Sequence, residues 1–583
     1  MNDESERRDL VIRPAGKRGQ EGEEEAKERD DDNDTTTTWI GVEQVPLYLR
    51  QAISESPLPN RSSKTSGQVR VRVLDLGEIG ELKEQERQTE LLLLRHHVTQ
   101  TMGGRNGLLR PELMLKRARC HEALGYDELA VGDAYAAFVL ASGESEDLVE
   151  KTVVSTEEDG EEQEWDVEGR VAGEVRVGSL RVLVRGLRRL GAVGEVGTWE
   201  TVLRQEAEGK EEEDNSWWVL DQAGQKHEEQ EEEDQDRQGL EGIFGRCQRV
   251  VYPWNSHEPD RMSAESLAEI NERLADASDG ILECRKTVLP SLSISTTTTE
   301  NAQLGLFTTR RAGPSTALLR ERSCLTAIRP HDAALCDCCA ADLEADSVGD
   351  ERVESSAPFC AGPAGCETPF TDLGRAESST TPEWDLYFLL VVRCIQMAIT
   401  QDVHPLDLFE VKYLWGGFSS AGGGNEEKPS LPFSFHHHIS LPFQLFENVL
   451  LSIPELHPYS STWLDRFDFW TINTLYAKFR GVATASQSSF DGKAETAAVH
   501  ALWCLANHSC APNVGWETGG GMRVLRVQEE DEVDEGGEVW NHYTDVRETD
   551  VRVRRARLRE VLGGECMCKR CVSEAGERGE RGD

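Results

Sequence analysis

The sequence is short of basic residues, of apolar residues and of aromatics. Lys and Arg number 63 against 107 Asp and Glu in 583 residues, a formal net charge of -44. A chain with so few cations is not built to neutralise phosphates, so no direct nucleic-acid binding is expected. Its carboxylates favour basic protein partners instead, with salt-sensitive attraction. Hydrophobic residues make up 38% and aromatics 7%, while the length exceeds what one core can organise. Two or three folded units joined by linkers are expected. No apolar run is long enough to span a membrane, and the opening MNDESERRDL has no apolar signal-peptide core. The expectation is a soluble intracellular chain of the nucleus or cytoplasm.

What is present is unevenly placed. Residues 1–38 are polar, charged and Thr-rich and read as disordered, and 206–240 read as an acidic linker around Trp217 and Trp218. The 15 cysteines are clustered. Cys336, Cys338 and Cys339, and again Cys566, Cys568 and Cys571, stand too close together for an ordinary disulfide framework, and such spacing points to metal. The run His436–His438 lies in a Pro/Phe-rich stretch read as a loop without a metal role.

Between the polar stretches, residues 84–205 read as helical. Glu112–Ala141 divides at Gly125 into two amphipathic helices, with Ala118, Ala130, Ala134 and Ala137 at helical spacing, and a second pair is expected over Ser179–Gln205. On these small residues the region resembles a divergent tetratricopeptide array, which implies partner docking rather than chemistry. A plain helical hairpin is the alternative.

Chemistry gathers after about Ile281, where strand-like runs alternate with Gly and Pro. Leu502–Glu517 reads LWCLANHSCAPNVGWE, and Gly537–Cys571 begins GEVWNHYTD and ends CMCKRC. N-H-S-C-x-P-N, G-E-x-x-x-x-Y and C-x-C-x-x-C occur in that order. On these motifs the stretch from about Val288 to Cys571 resembles the SET-domain family of protein-lysine methyltransferases. The resemblance implies an α+β fold: small twisted β-sheets with a threaded C-terminal segment, spanning 281–563, and a zinc-bound tail, 564–583. It implies S-adenosylmethionine as cofactor, held at Asn507 and His508, and Tyr543 as the catalytic tyrosine beside the transferred methyl. It also implies zinc on Cys566, Cys568 and Cys571 with Cys510 as the fourth thiolate, since structural zinc takes four ligands in a tetrahedron.

Two further segments are matched less closely. NAQLGLF, Asn301–Phe307, resembles the family's cofactor loop at Gly305, Leu306 and Phe307, with Gln303 in place of its first glycine. Within an insertion over 331–480, Cys336–Cys366 resembles a reduced MYND zinc module of the SET-and-MYND subfamily, with Cys336, Cys339, Cys360 and Cys366 as ligands of at most one ion. Further along, Pro382–Ile399 reads as a helix packed on the SET core and Phe467–Thr484 as an aromatic segment near the active site. Before Cys566 the family often places a channel aromatic; here stand Gly563, Gly564 and Glu565. The implied activity is methyl transfer to a lysine of a protein, a histone or similar basic tail among the candidates. A SET-derived scaffold that binds partners through its helices without methyl transfer is the rival.

Overall fold

The computed structural model describes residues 38–54, 62–65, 68–102, 110–142, 161–207, 245–292, 298–328, 382–418, 430–450, 453, 456, 461–487, 494–519, 522–562 and 565–581. Residues 1–37, linker residues 208–244 with Trp217 and Trp218, and the zinc candidates Cys336, Cys339, Cys360 and Cys366 lie outside that set, as do Gly563 and Gly564. The chain is mixed helix and strand. Among the described residues, no helix is long and apolar enough to cross a membrane.

Local signals set the amino-terminal helices. Pro111 opens the helix Pro111–Leu124, where its missing N–H costs nothing, and Gly125 closes it at φ 77°, a conformation that strains residues with a Cβ. Asp127 and Glu128 then start Asp127–Ser142, their charges favourable at a helix N-terminus. Ala118, Ala130, Ala134 and Ala137 are fully buried where these helices meet. The next pair is Glu161–Arg189 and Val193–Ala207, the first beginning well before the expected Ser179.

These helices do not form a unit of their own. One continuous core joins Leu94, Ala118, Leu129 and Leu183 to Phe388, Leu475, Phe479 and Val499 from the carboxyl-terminal half. The helix Pro382–Gln401 belongs to this shared core, packed on the strands Leu325–Ile328 and Ala494–Val499 and the helix Phe469–Val482. A buried charge cluster pins the same junction: Arg117 donates to Asp133 Oδ2 and Asp468 Oδ2, each at 2.8 Å. Asp468 also caps Phe469–Val482, accepting from Phe469 N at 2.8 Å. His436–His438, read as a loop, is helical. Phe435, Ile439, Leu441, Phe443 and Leu445 are buried along a run in which a widened turn over His436–Ser440 accommodates Pro442, which has no N–H to donate. His437 there meets Asp385 at 2.9 Å, and His438 stacks on Tyr476.

A second core begins earlier than Ile281, with the helix Ala264–Ala277. It includes Ile270, Leu274, Leu306, Leu319, Leu505, Val514, Leu525 and Val539. Leu282–Leu292 pairs antiparallel with Thr298–Thr308, and Met522–Val527 lies between Val514–Gly519 and Ala317–Arg322. A third small cluster comprises Cys510, Val551, Leu558, Cys566 and Cys571. Glu565–Cys566 adds to Leu282–Leu292, which brings the tail against the second core.

Candidate active site and metal cluster

Asn507 and His508 form a two-residue strand parallel to Trp540–Asn541. Parallel pairing between segments about thirty residues apart normally requires a crossover helix; here a β-hairpin and a loop serve instead, and Tyr543 emerges directly after the pair. Tyr543 donates its hydroxyl to Ala506 O at 2.9 Å and its peptide N–H to His508 Nδ1 at 3.0 Å. Burial pushes the phenol pKa above its ordinary value, so the group stays a neutral hydroxyl. Asn507, His508 and Tyr543 line an open cavity of about 1160 Å³, together with Gln303, Leu304, Trp503 and Cys566–Lys569. That size suits a nucleoside-sized ligand with room for a side chain beside it.

The side chains at Asn507 and His508 are occupied by the protein itself. Asn507 Nδ2 donates to Leu304 O and Glu538 Oε1, each at 3.0 Å. Thr287 adds a longer bond to the other oxygen of Glu538, and burial raises the Glu538 pKa. A Cβ at Gly305 would lie 2.7 Å from Glu538 Oε1 and 3.0 Å from Asn507 Nδ2. Gly305 is therefore the gap into which this pair fits. The expected cofactor loop is instead part of the strand Thr298–Thr308. Leu306, fully buried, points into the second core and its carbonyl accepts from Val539 N, so neither Gly305 nor Leu306 reaches the cavity, and Gln303 and Leu304 do. The cause is strand pairing: the segment has a full antiparallel partner in Leu282–Leu292, which holds it extended.

Cys510, Cys566, Cys568 and Cys571 converge, their sulfurs all within 4.8 Å of one another and Cys571 Sγ 3.5 Å from Cys510 Sγ. A tetrahedron of Zn–S bonds of about 2.3 Å places its sulfurs roughly 3.8 Å apart, so the set fits one metal ion. Hydrogen bonds from the Cys510 and Cys566 thiols hold Cys568 far below the usual thiol range, and the bond to Cys510 pushes Cys566 up. Adjacent thiols compete for a single negative charge in this way, and a dication removes the competition. Arg554, fully buried, reaches Cys571 Sγ and Glu574, and Arg570 Nη1 donates to Cys510 O at 3.0 Å. Both guanidiniums offset the anionic charge four thiolates would carry. His508 joins the two sites: with Nδ1 accepting from Tyr543, the neutral ring bears its proton on Nε2, 3.2 Å from Cys510 Sγ. Burial lowers its pKa to about 4, which keeps the ring neutral.

No family model matches the chain, and no curated protein matches its sequence.

A second grouping, His257, His404 and Asp465, has the proximity but not the free lone pairs for a metal. His404 Nε2 bonds to Asp465 O and Nδ1 accepts from Leu406 N, while its ring stacks on His257 at 3.7 Å. Sequence reasoning missed Glu538, although it stands inside the G-E-x-x-x-x-Y motif. It also missed Arg554, whose only signal is a basic run, Val551–Arg559, in an acidic chain, and Arg570, which stands inside the C-x-C-x-x-C motif itself.

Proposed function

We propose that the chain is an S-adenosylmethionine-dependent protein-lysine methyltransferase with a SET-type fold. The observation that carries the reading is convergence. The N-H-S-C-x-P-N, G-E-x-x-x-x-Y and C-x-C-x-x-C segments, far apart in sequence, meet at one cavity with Tyr543 on its wall and four cysteines behind it. The short parallel pairing of Asn507–His508 with Trp540–Asn541 is compatible with the threaded C-terminal segment of that fold.

The cofactor would supply an electrophilic methyl group on a sulfonium. The protein's part is to take in a lysine side chain, strip water from its amine and aim it. Burial in a largely apolar cavity disfavours the ammonium form, so the amine loses its proton without a strong base on the protein. Tyr543, kept neutral by burial and fixed by Ala506 O, is suited to orient the amine rather than to deprotonate it. Alignment of this kind is where most of the acceleration arises. Asn507, Glu538 and Gly305 hold the cavity wall in register.

The test pairs calorimetric titration of S-adenosylmethionine with a methylation assay on a protein array, for wild type and Tyr543→Phe. The expected result is cofactor binding by both and turnover lower by roughly a hundredfold or more in the variant. Absence of cofactor binding, or robust activity indifferent to the hydroxyl, would overturn the proposal.

A further inference from the structure

The chain is strongly acidic, but the cavity wall reverses the balance: five cationic side chains line it against three carboxylates among the described residues. Each carboxylate already has a protein partner: Glu538 meets Asn507, Asp545 meets Arg547 and Glu565 meets Arg555. Arg523, on the strand Met522–Val527, has no side-chain hydrogen bond among the described residues, and the Glu321 carboxylate attracts it only through space. Its residue is 6% exposed, and Nε and Nη1 are buried without a hydrogen bond. Trp503 and Trp516 stand at 89° to each other and flank the guanidinium carbon at 4.6 and 4.3 Å from their ring centres. Glu321 is the cross-strand neighbour, yet its oxygens accept the peptide N–H groups of Leu502 and Trp503 at 3.0 and 2.7 Å. Burial lowers the Arg523 pKa to about 10, which still leaves a cation at neutral pH. The corner opens outward through Trp516, 36% exposed, and the half-buried His542 stacked on it.

We propose that Arg523 is a specificity-determining subsite that takes the carboxylate of an Asp or Glu side chain flanking the acceptor lysine in the substrate protein. The inference rests on the lysine-methyltransferase reading and narrows its substrate class. A planar guanidinium with in-plane donors left over matches a carboxylate by paired N–H···O bonds. A fixed, desolvated cation repels a basic flank, so the substrate is an acidic-flanked lysine rather than the basic tail that net charge alone suggests. The open corner beside Trp516 is where a polypeptide can lie.

The test is a binding scan on the full-length protein, read by fluorescence anisotropy and independent of turnover. The probes are labelled peptides with a central lysine in an Ala/Gly background and a single Glu or Gln at each neighbouring position. Glu should bind roughly tenfold tighter than Gln at one position or more, the range of a hydrogen bond to a charged group. Arg523→Gln should bring that ratio near one and Arg523→Lys should recover part of it, with S-adenosylmethionine affinity unchanged in both. If Arg523→Gln does not fold, Arg523→Lys reads the same ratio. A ratio near one throughout in wild type, or a preference undiminished in Arg523→Gln or, should that variant not fold, in Arg523→Lys, overturns the proposal. So does a loss of cofactor affinity in either variant, which would assign the guanidinium to the cofactor. A peptide that shows the Arg523-dependent preference but is never methylated counts against the methyltransferase reading and not against the subsite.

Discussion

His508 accepts the peptide N–H of Tyr543 through Nδ1 at 3.0 Å while its other ring nitrogen faces Cys510 Sγ at 3.2 Å. One imidazole thus bridges the cysteine cluster and the backbone of the tyrosine on the cavity wall. A hydrogen bond to a metal-bound thiolate steadies its orientation and charge, and the same ring fixes where Tyr543 begins.

His508→Phe keeps a ring of similar size and removes both bonds. Zinc affinity should fall by about tenfold to a hundredfold, measured by competition with a chromophoric chelator. Unchanged affinity would show that the imidazole does not act on the cluster.

The cluster itself is tested by metal content. Cys568→Ser should carry one zinc equivalent fewer than wild type by elemental analysis. Hydrogen exchange should rise over residues 565–581 and leave the helices 111–142 protected, because the cysteine cluster packs in a small core of its own. Equal zinc content in the two proteins would remove Cys568 from the ligand set.

Arg117 bridges Asp133 and Asp468 with all three side chains buried. Arg117→Met removes the cation that bridges two buried carboxylates and leaves Arg95, which attracts both, as their nearby cation. Stability to urea should drop by about 3–5 kcal/mol. The loss should appear as one transition, since the helices at 111–142 and at 469–482 share a core. A drop below about 1 kcal/mol, or two separated transitions, would contradict that coupling.

Glu128 is buried, and desolvation raises its pKa from 4.5 to about 7, with Tyr252 donating to it at 2.8 Å. A raised carboxylate pKa means that the folded state holds the proton more tightly than the unfolded state. Its contribution is therefore fully present below about pH 4.5 and is lost as pH rises to about 7. Glu128→Gln keeps an acceptor for Tyr252 and cannot ionise. The variant should be more stable than wild type at pH 8, by up to about 3 kcal/mol, and the two should converge near pH 4.5. Parallel curves of denaturation free energy against pH would exclude Glu128 as the source.

The helical pairs were legible because their signals are local: Pro111, Gly125 and the alanines at helical spacing act within a few residues of themselves. Cys566, Cys568 and Cys571 stood out for a different reason, since thiolates at such spacing have few uses other than metal, while Cys510 was implied as the fourth only by the family resemblance; the four sulfurs do converge. The roles of single residues were harder to read. Gly305 looked like a place for a ligand and is a place for the Asn507–Glu538 pair, because a missing Cβ in the sequence does not say what fills the space. Leu306 was misplaced by the same step, its segment being held extended by a partner strand.

By itself the sequence determined the acidic balance, the helix ends at Pro111 and Gly125 and which residue types could hold a metal, since those depend on composition and neighbouring positions. Tertiary structure decided that the amino-terminal helices and the helices 382–401 and 469–482 are one body, through apolar packing between residues hundreds of positions apart. It also decided which polar groups have partners. Asn507 and His508 turned inward to Glu538 and Cys510, while Arg523 was fixed between two tryptophans with donors left over. Hydrogen-bond satisfaction is a property of three-dimensional neighbours, and no spacing along the chain encodes it.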